Sequence, residues 1–159
     1  MSVKLDNVIG FHHAGIVVPD LDKAIDFYTK LLGYEVMSQS SWGTDHAGFN
    51  QIVGLEASAA RFCMLKGGNA FLELFEYSSP PSSEQPAHLG ANDQGIRHIG
   101  IAVRDVDAMV RRCIQLGGSA KNASVSVPGA ATATYCRDPF GNLLEFVTPG
   151  GRFPEPIIP

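Results

Sequence analysis

Residues 11–33 read FHHAGIVVPDLDKAIDFYTKLLG, and residues 96–118 read IRHIGIAVRDVDAMVRRCIQLGG. Placing His13 over His98 aligns Gly15 with Gly100, Ile16 with Ile101 and Val18 with Val103. It also aligns Asp20 with Asp105, Asp22 with Asp107, Leu31 with Leu116 and Gly33 with Gly118. Such matches, in one order and at one offset, mark an internal duplication. Two modules follow, residues 8–80 and 95–149, joined by a Ser- and Pro-rich linker over 81–94 and followed by a tail over 150–159 that reads as an extended arm.

Each copy opens with a β-branched run, Ile16–Val18 or Ile101–Val103, which favours extended structure. Asp20 and Asp105 stand where an N-cap belongs. Leu21, Ala24, Ile25, Tyr28 and Leu32 then recur at helical spacing, as do Val106, Met109, Val110, Cys113 and Leu116. Gly33 and Gly117 suit the helix ends. Three strands are expected after each helix: near 34–41, 58–66 and 69–77 in the first copy, and near 119–126, 130–137 and 142–148 in the second. Lys66-Gly67-Gly68-Asn69 and Asp138-Pro139-Phe140-Gly141-Asn142 supply the turns. Each module is therefore βαβββ, an α+β class. Residues 42–57 are an insertion without a counterpart in the second copy.

The composition narrows the function classes. The 159 residues are 45% hydrophobic, with 12 Lys and Arg against 16 Asp and Glu, a formal net charge of −4. That balance lacks the basic footprint of a nucleic-acid binder, and no apolar run has the length of a membrane span. The opening MSVKLDN has no apolar core of a secretory signal. Cys63, Cys113 and Cys136 are odd in number and set among apolar residues, so they read as free thiols in a reducing compartment. The expectation is a cytoplasmic protein that handles small molecules, with neither nucleic-acid nor membrane partners.

Alternate strand residues share a face. His13 and His98 head equivalent strands, and the closing strands FLELF (71–75) and LLEFV (143–147) carry Glu73 and Glu145 between apolar neighbours. A carboxylate in a buried strand is costly unless paired or bound to a cation. Two imidazoles and two carboxylates form a donor set suited to Zn, Ni, Co, Mn or Fe(II). Any one of the four alone reads as structural; together, at repeat-equivalent positions, they read as a metal site. His12 is expected to face away from His13, at the surface. His88 falls in the linker and His46 in the insertion, where His46, Trp42 and Phe49 lie at a possible pocket entrance. Arg61, Lys66 and Arg97 read as surface charge.

The duplicated HxGIxV-D opening, Phe27-Tyr28, the closing LEL and DPFGNLLEF resemble the vicinal oxygen chelate superfamily. That group contains glyoxalase I, methylmalonyl-CoA epimerase, extradiol dioxygenases and the fosfomycin- and bleomycin-resistance proteins. The resemblance covers about residues 9–149. It implies two modules forming a half-open β-barrel around one divalent metal, with ligands falling on His13, Glu73, His98 and Glu145, and a homodimer as partner state. It further implies a metal-dependent lyase or isomerase that chelates a small carbonyl substrate and moves an alpha proton, with Glu145 and Glu73 as the catalytic carboxylates. An Fe(II) extradiol-type dioxygenase using His13, His98 and Glu145 beside Tyr135 ranks second. It lacks the further histidine expected before the tyrosine and leaves Glu73 unused. A non-catalytic binding protein of the resistance type ranks third.

Overall fold

The computed structural model describes residues 7–84 and 89–158. The first module contains β1 (His13–Val17), α1 (Leu21–Leu32), β2 (Glu35–Trp42), α2 (Ala47–Val53), β3 (Ala59–Lys66) and β4 (Phe71–Ser79). The second contains β5 (His98–Ala102), α3 (Val106–Gln115), β6 (Ser119–Ala120), β7 (Val125–Ser126), β8 (Thr132–Arg137) and β9 (Leu143–Val147). No helix among the described residues is long and apolar enough to cross a membrane.

Each opening strand lies at a sheet edge. The orders are β1-β4-β3-β2 and β5-β9-β8-β6, with β7 also on β8. β1 runs parallel to β4 and β5 parallel to β9. The helices supply the crossovers that parallel pairing requires. Asp20 Oδ1 accepts the Lys23 amide at 2.9 Å and Asp105 Oδ1 accepts that of Ala108 at 2.9 Å, so both capping aspartates do what their spacing promises. Gly33 ends α1 in the left-handed region at φ 70°, a backbone that favours glycine.

One apolar core unites the modules. Leu21, Phe27 and Tyr28 from α1 and Leu74 from β4 pack in one cluster with Cys113 of α3 and Phe146 of β9. Each large side chain so buried contributes about 1.5–3 kcal/mol. Polar bonds also cross the seam. Tyr28 donates its hydroxyl proton to Asp138 Oδ2 at 2.7 Å, and Arg112 Nε donates to the Lys30 carbonyl at 2.7 Å.

Three details differ from the sequence reading. The insertion carries a helix, α2, closed by Gly54 at φ 68°. The strand expected over 119–126 is two short pieces on either side of Lys121–Ser124. The tail has a Gly150–Phe153 bridge but no longer element. Cys63, Cys113 and Cys136 are free and buried, as expected.

Candidate metal centre

Along β1 and β5 the side chains divide between two faces. Ile16, beside Ala14, joins the core under α1, while His13, Gly15 and Val17 face away from it. Parallel register sets Gly15 opposite Glu73 and Gly100 opposite Glu145. A Cβ on Gly100 would come into ordinary contact with Glu145 Oε2, at 3.6 Å, which places that carboxylate directly over the glycine. The histidine two residues earlier then reaches the same carboxylate. His13 Nε2 lies 3.1 Å from Glu73 Oε2, with the side chains 37% and 16% exposed. His98 Nε2 lies 3.3 Å from Glu145 Oε2, with 37% and 15% exposed. The duplication thus extends to bond geometry.

Between β1 and β5 lies a cleft of about 550 Å³, lined by both histidines, Gly15, Gly100, Arg97 and Asn142 among others. Each histidine meets the glutamate of its own module. Among the described residues, no three His, Cys, Asp or Glu side chains gather closely enough to hold one ion. The donor chemistry suits a divalent cation within each pair; the two pairs stand apart.

A tyrosine flanks each glutamate. Tyr135 sits opposite Glu145 across β8 and β9, its ring 5.2 Å from that of His98. Burial first, then the Glu145 charge, raises its phenol above the usual value. Tyr77 lies on the Glu73 face and is raised the same way, by burial and then by Glu73. Both phenols therefore keep their proton at neutral pH, leaving each hydroxyl able to donate.

The first module adds an aromatic wall on the same face as Glu73. Phe62 lies opposite Phe75 in the β3–β4 register, and their rings stack at 5.9 Å. Phe75 stacks on Tyr77 at 5.9 Å. Trp42 stacks on Phe49 at 4.6 Å and donates its indole N–H to Ser58 Oγ at 2.9 Å. Trp42 and Phe49 are thus part of the wall. His46 is the N-cap of α2, accepting the Phe49 amide at Nδ1 over 3.2 Å, with its ring 4.5 Å from Phe49. The sequence reading singled out Trp42 and Phe49 but passed over Phe62, Phe75 and Tyr77. Period-two spacing from Glu73 along FLELFEY was the available signal for the last two.

His12 departs from expectation. It precedes β1, so strand alternation does not govern it, and its ring lies beside His13 with the two Nδ1 atoms 2.8 Å apart. Arg61 pairs with Asp22 at 2.7 Å and with Glu76 at 3.5 Å. Arg97 donates from Nε to the Gly90 carbonyl at 3.4 Å. His88 lies outside the described residues.

Known proteins resemble this chain over most of its length. A 2-epi-5-epi-valiolone epimerase from Actinomyces sp. is 36% identical over 107 residues, covering 65% of this chain and 57% of that protein. A glyoxalase family protein from Bacillus cereus, 21% identical, superposes with a TM-score of 0.82 over 92% of this chain and 98% of its own. A fosfomycin resistance protein, FosX, from Listeria monocytogenes, solved with Mn(II) and sulfate, is 17% identical. It superposes with a TM-score of 0.60 over 89% of this chain and 90% of its own. These two likenesses speak to the fold. Residues 10–146 match the profile of the Glyoxalase/Bleomycin resistance protein/Dioxygenase superfamily, and with both modules inside that match the chain belongs to this superfamily.

Proposed function

We propose that this protein is a divalent-metal-dependent isomerase, of epimerase type, acting on a small hydroxy-ketone. The observation that carries this reading is the repeated His–Glu pair, 3.1 Å in one module and 3.3 Å in the other, on strands that border one cleft. His13, Glu73, His98 and Glu145 would hold a single cation in the cleft of one chain, and doing so requires β1 and β5 to approach one another. The bound cation supplies Lewis acidity, which lowers the cost of charge on an adjacent carbonyl oxygen.

The chain's own groups provide the proton chemistry. Glu73 and Glu145, from opposite modules, each meet a histidine that lines the cleft, so one carboxylate would take a proton from a carbon and the other would deliver one from the opposite side. That sequence inverts a centre next to a carbonyl. Tyr77 and Tyr135, held protonated, donate hydrogen bonds at either end. The rings of Phe62, Phe75 and Tyr77 present an apolar surface for the C–H face of a saturated ring and help exclude water. The 36% identity to a valiolone epimerase supports a cyclic hydroxy-ketone as substrate class. The intact fourth ligand, Glu73, supports proton transfer over ring cleavage.

Two measurements test the proposal. Elemental analysis of protein purified without added metal or chelator should find near-stoichiometric Zn, Ni, Co or Mn. Incubation in deuterium oxide with cyclic hydroxy-ketones should then place deuterium at the carbon next to the carbonyl. Oxygen-sensitive iron with catechol turnover would replace this reading with the dioxygenase, and absence of any divalent binding would leave a small-molecule-binding protein.

A further inference from the structure

We infer that Asn50 is the positioning residue for ring recognition: acting with Ser58, it holds Phe49 against Trp42 and so completes an aromatic surface that selects a six-membered ring over an open chain. The inference deepens the reading above, from which it takes the hydroxy-ketone class. The two modules treat their equivalent glycines differently. A Cβ on Gly100 would meet Glu145 Oε2, whereas one on Gly15, which lines the cleft, would meet the Phe75 ring at 3.9 Å. Beyond Phe75 the first sheet continues the surface with Phe62, Tyr77 and Trp42, all on the Glu73 face. In the second module, Val147 and Pro149 follow the glutamate at the spacing of Phe75 and Tyr77 in the first. The broad aromatic surface thus belongs to the first module, and the C–H face of a ring covers more of it than an open chain does.

The insertion supplies the last ring of that surface, and α2 has little else to hold it. None of its seven residues is buried, and a helix this short does not persist by its own hydrogen bonds. Asn50, next to Phe49, makes the attachment. Its Oδ1 accepts the Ser58 amide at 2.7 Å and the Ser58 hydroxyl at 2.6 Å, and its Nδ2 donates to the Thr44 carbonyl at 3.0 Å. The polarity of this chain of bonds is fixed at one end. An indole N–H only donates, so Ser58 Oγ accepts from Trp42 at 2.9 Å and turns its own proton to Asn50. Ser58 is completely buried, so water does not substitute for either partner. One side chain thus sets both members of the stack in which Phe49 lies 4.6 Å from Trp42 at 18°: the indole through Ser58, the phenyl through the adjoining backbone.

Dissociation constants of 2-hydroxycyclohexanone and hydroxyacetone, read by ligand-observed NMR on chelator-treated protein, test this without metal or turnover. The wild type should prefer the ring. Asn50→Ala should reduce that preference about five- to tenfold, the worth of one aromatic face. Phe49→Ala should reduce it equally, and the double variant no further, because Asn50 acts through Phe49. Asn50→Asp keeps an acceptor for both Ser58 donors and should restore most of the preference. The Trp42 indole N–H should exchange with solvent faster in Asn50→Ala than in the wild type, in a protein whose far-UV circular dichroism is unchanged. An Asn50→Ala variant with the wild-type preference overturns the inference, as do additive losses in the double variant or a wild type that does not favour the ring. Ring binding without deuterium exchange would count against the isomerase reading and leave the role of Asn50 standing. Deuterium exchange into hydroxyacetone without ring preference would do the reverse.

Discussion

Tyr28 and Cys113 hold the same place in the two repeats, and both are buried, yet only Tyr28 spans the seam. Its hydroxyl donates to Asp138, which is 3% exposed and also accepts the amides of Phe140 and Asn142 at 2.9 and 2.8 Å. Tyr28→Phe removes one hydrogen bond to a buried carboxylate. The expected loss is about 1.5–3 kcal/mol, read as a lower urea midpoint at unchanged slope. Burial, then the Asp138 charge, holds the Tyr28 phenol well above its usual 10.0. Its contribution is therefore whole below pH 10 and declines above it, because the unfolded chain releases that proton first. A Tyr28→Phe variant should show a shallower decline in stability above pH 10. Cys113 sits differently: its thiol is pushed up, first by the hydrogen bond with Cys136 and then by burial. Aligned glycines also serve different ends. Gly33 adopts positive φ, whereas a Cβ on Gly118 would meet the Arg137 carbonyl at 2.6 Å. The repeat alignment located these residues without revealing what each does.

At the scale of elements, long periodic segments were readable and short ones were not. α1 and α3 announced themselves by an aspartate cap and an apolar stripe. Asp105→Ala removes the acceptor of the Ala108 amide and should cost about 1 kcal/mol in urea unfolding. α2 has only seven residues, under two turns, with Gly48 inside it, so no period could emerge. Its boundaries come from His46 and Gly54, and neither marks a helix by composition alone. The strand expected over 119–126 fails for a local reason. Thr134 Oγ1 donates to the carbonyls of Asn122 and Ala123, and Ser124 Oγ donates to Asp107 at 2.6 Å. Side-chain bonds there replace the ladder that a continuous strand would have formed. The four residues proposed as ligands were legible because duplication places each twice. The placement of His12 beside His13 was not, because His12 precedes β1 and strand alternation does not govern it.

For the whole molecule, the arrangement of the two pairs sets the test of architecture. If one chain holds its own ion, His13→Ala and His98→Ala should each bind far less metal than the wild type. Refolding the two variants together should restore none of it. A site shared between copies would instead recover binding in mixed dimers, as elemental analysis of the purified mixture would show. The shared core and the Tyr28–Asp138 bond join the modules on the helix side, and the His–Glu pairs occupy the other side. The wall that distinguishes those two halves has an optical consequence. Trp42 is the only tryptophan in the chain, and it is 6% exposed, in ring contact with Phe49, Phe62, Phe75 and Tyr77. Its fluorescence therefore comes from a single, shielded place in the aromatic wall of the first sheet. The protein carries a built-in emission probe for whatever enters the first module, with no label to attach and no background from the second.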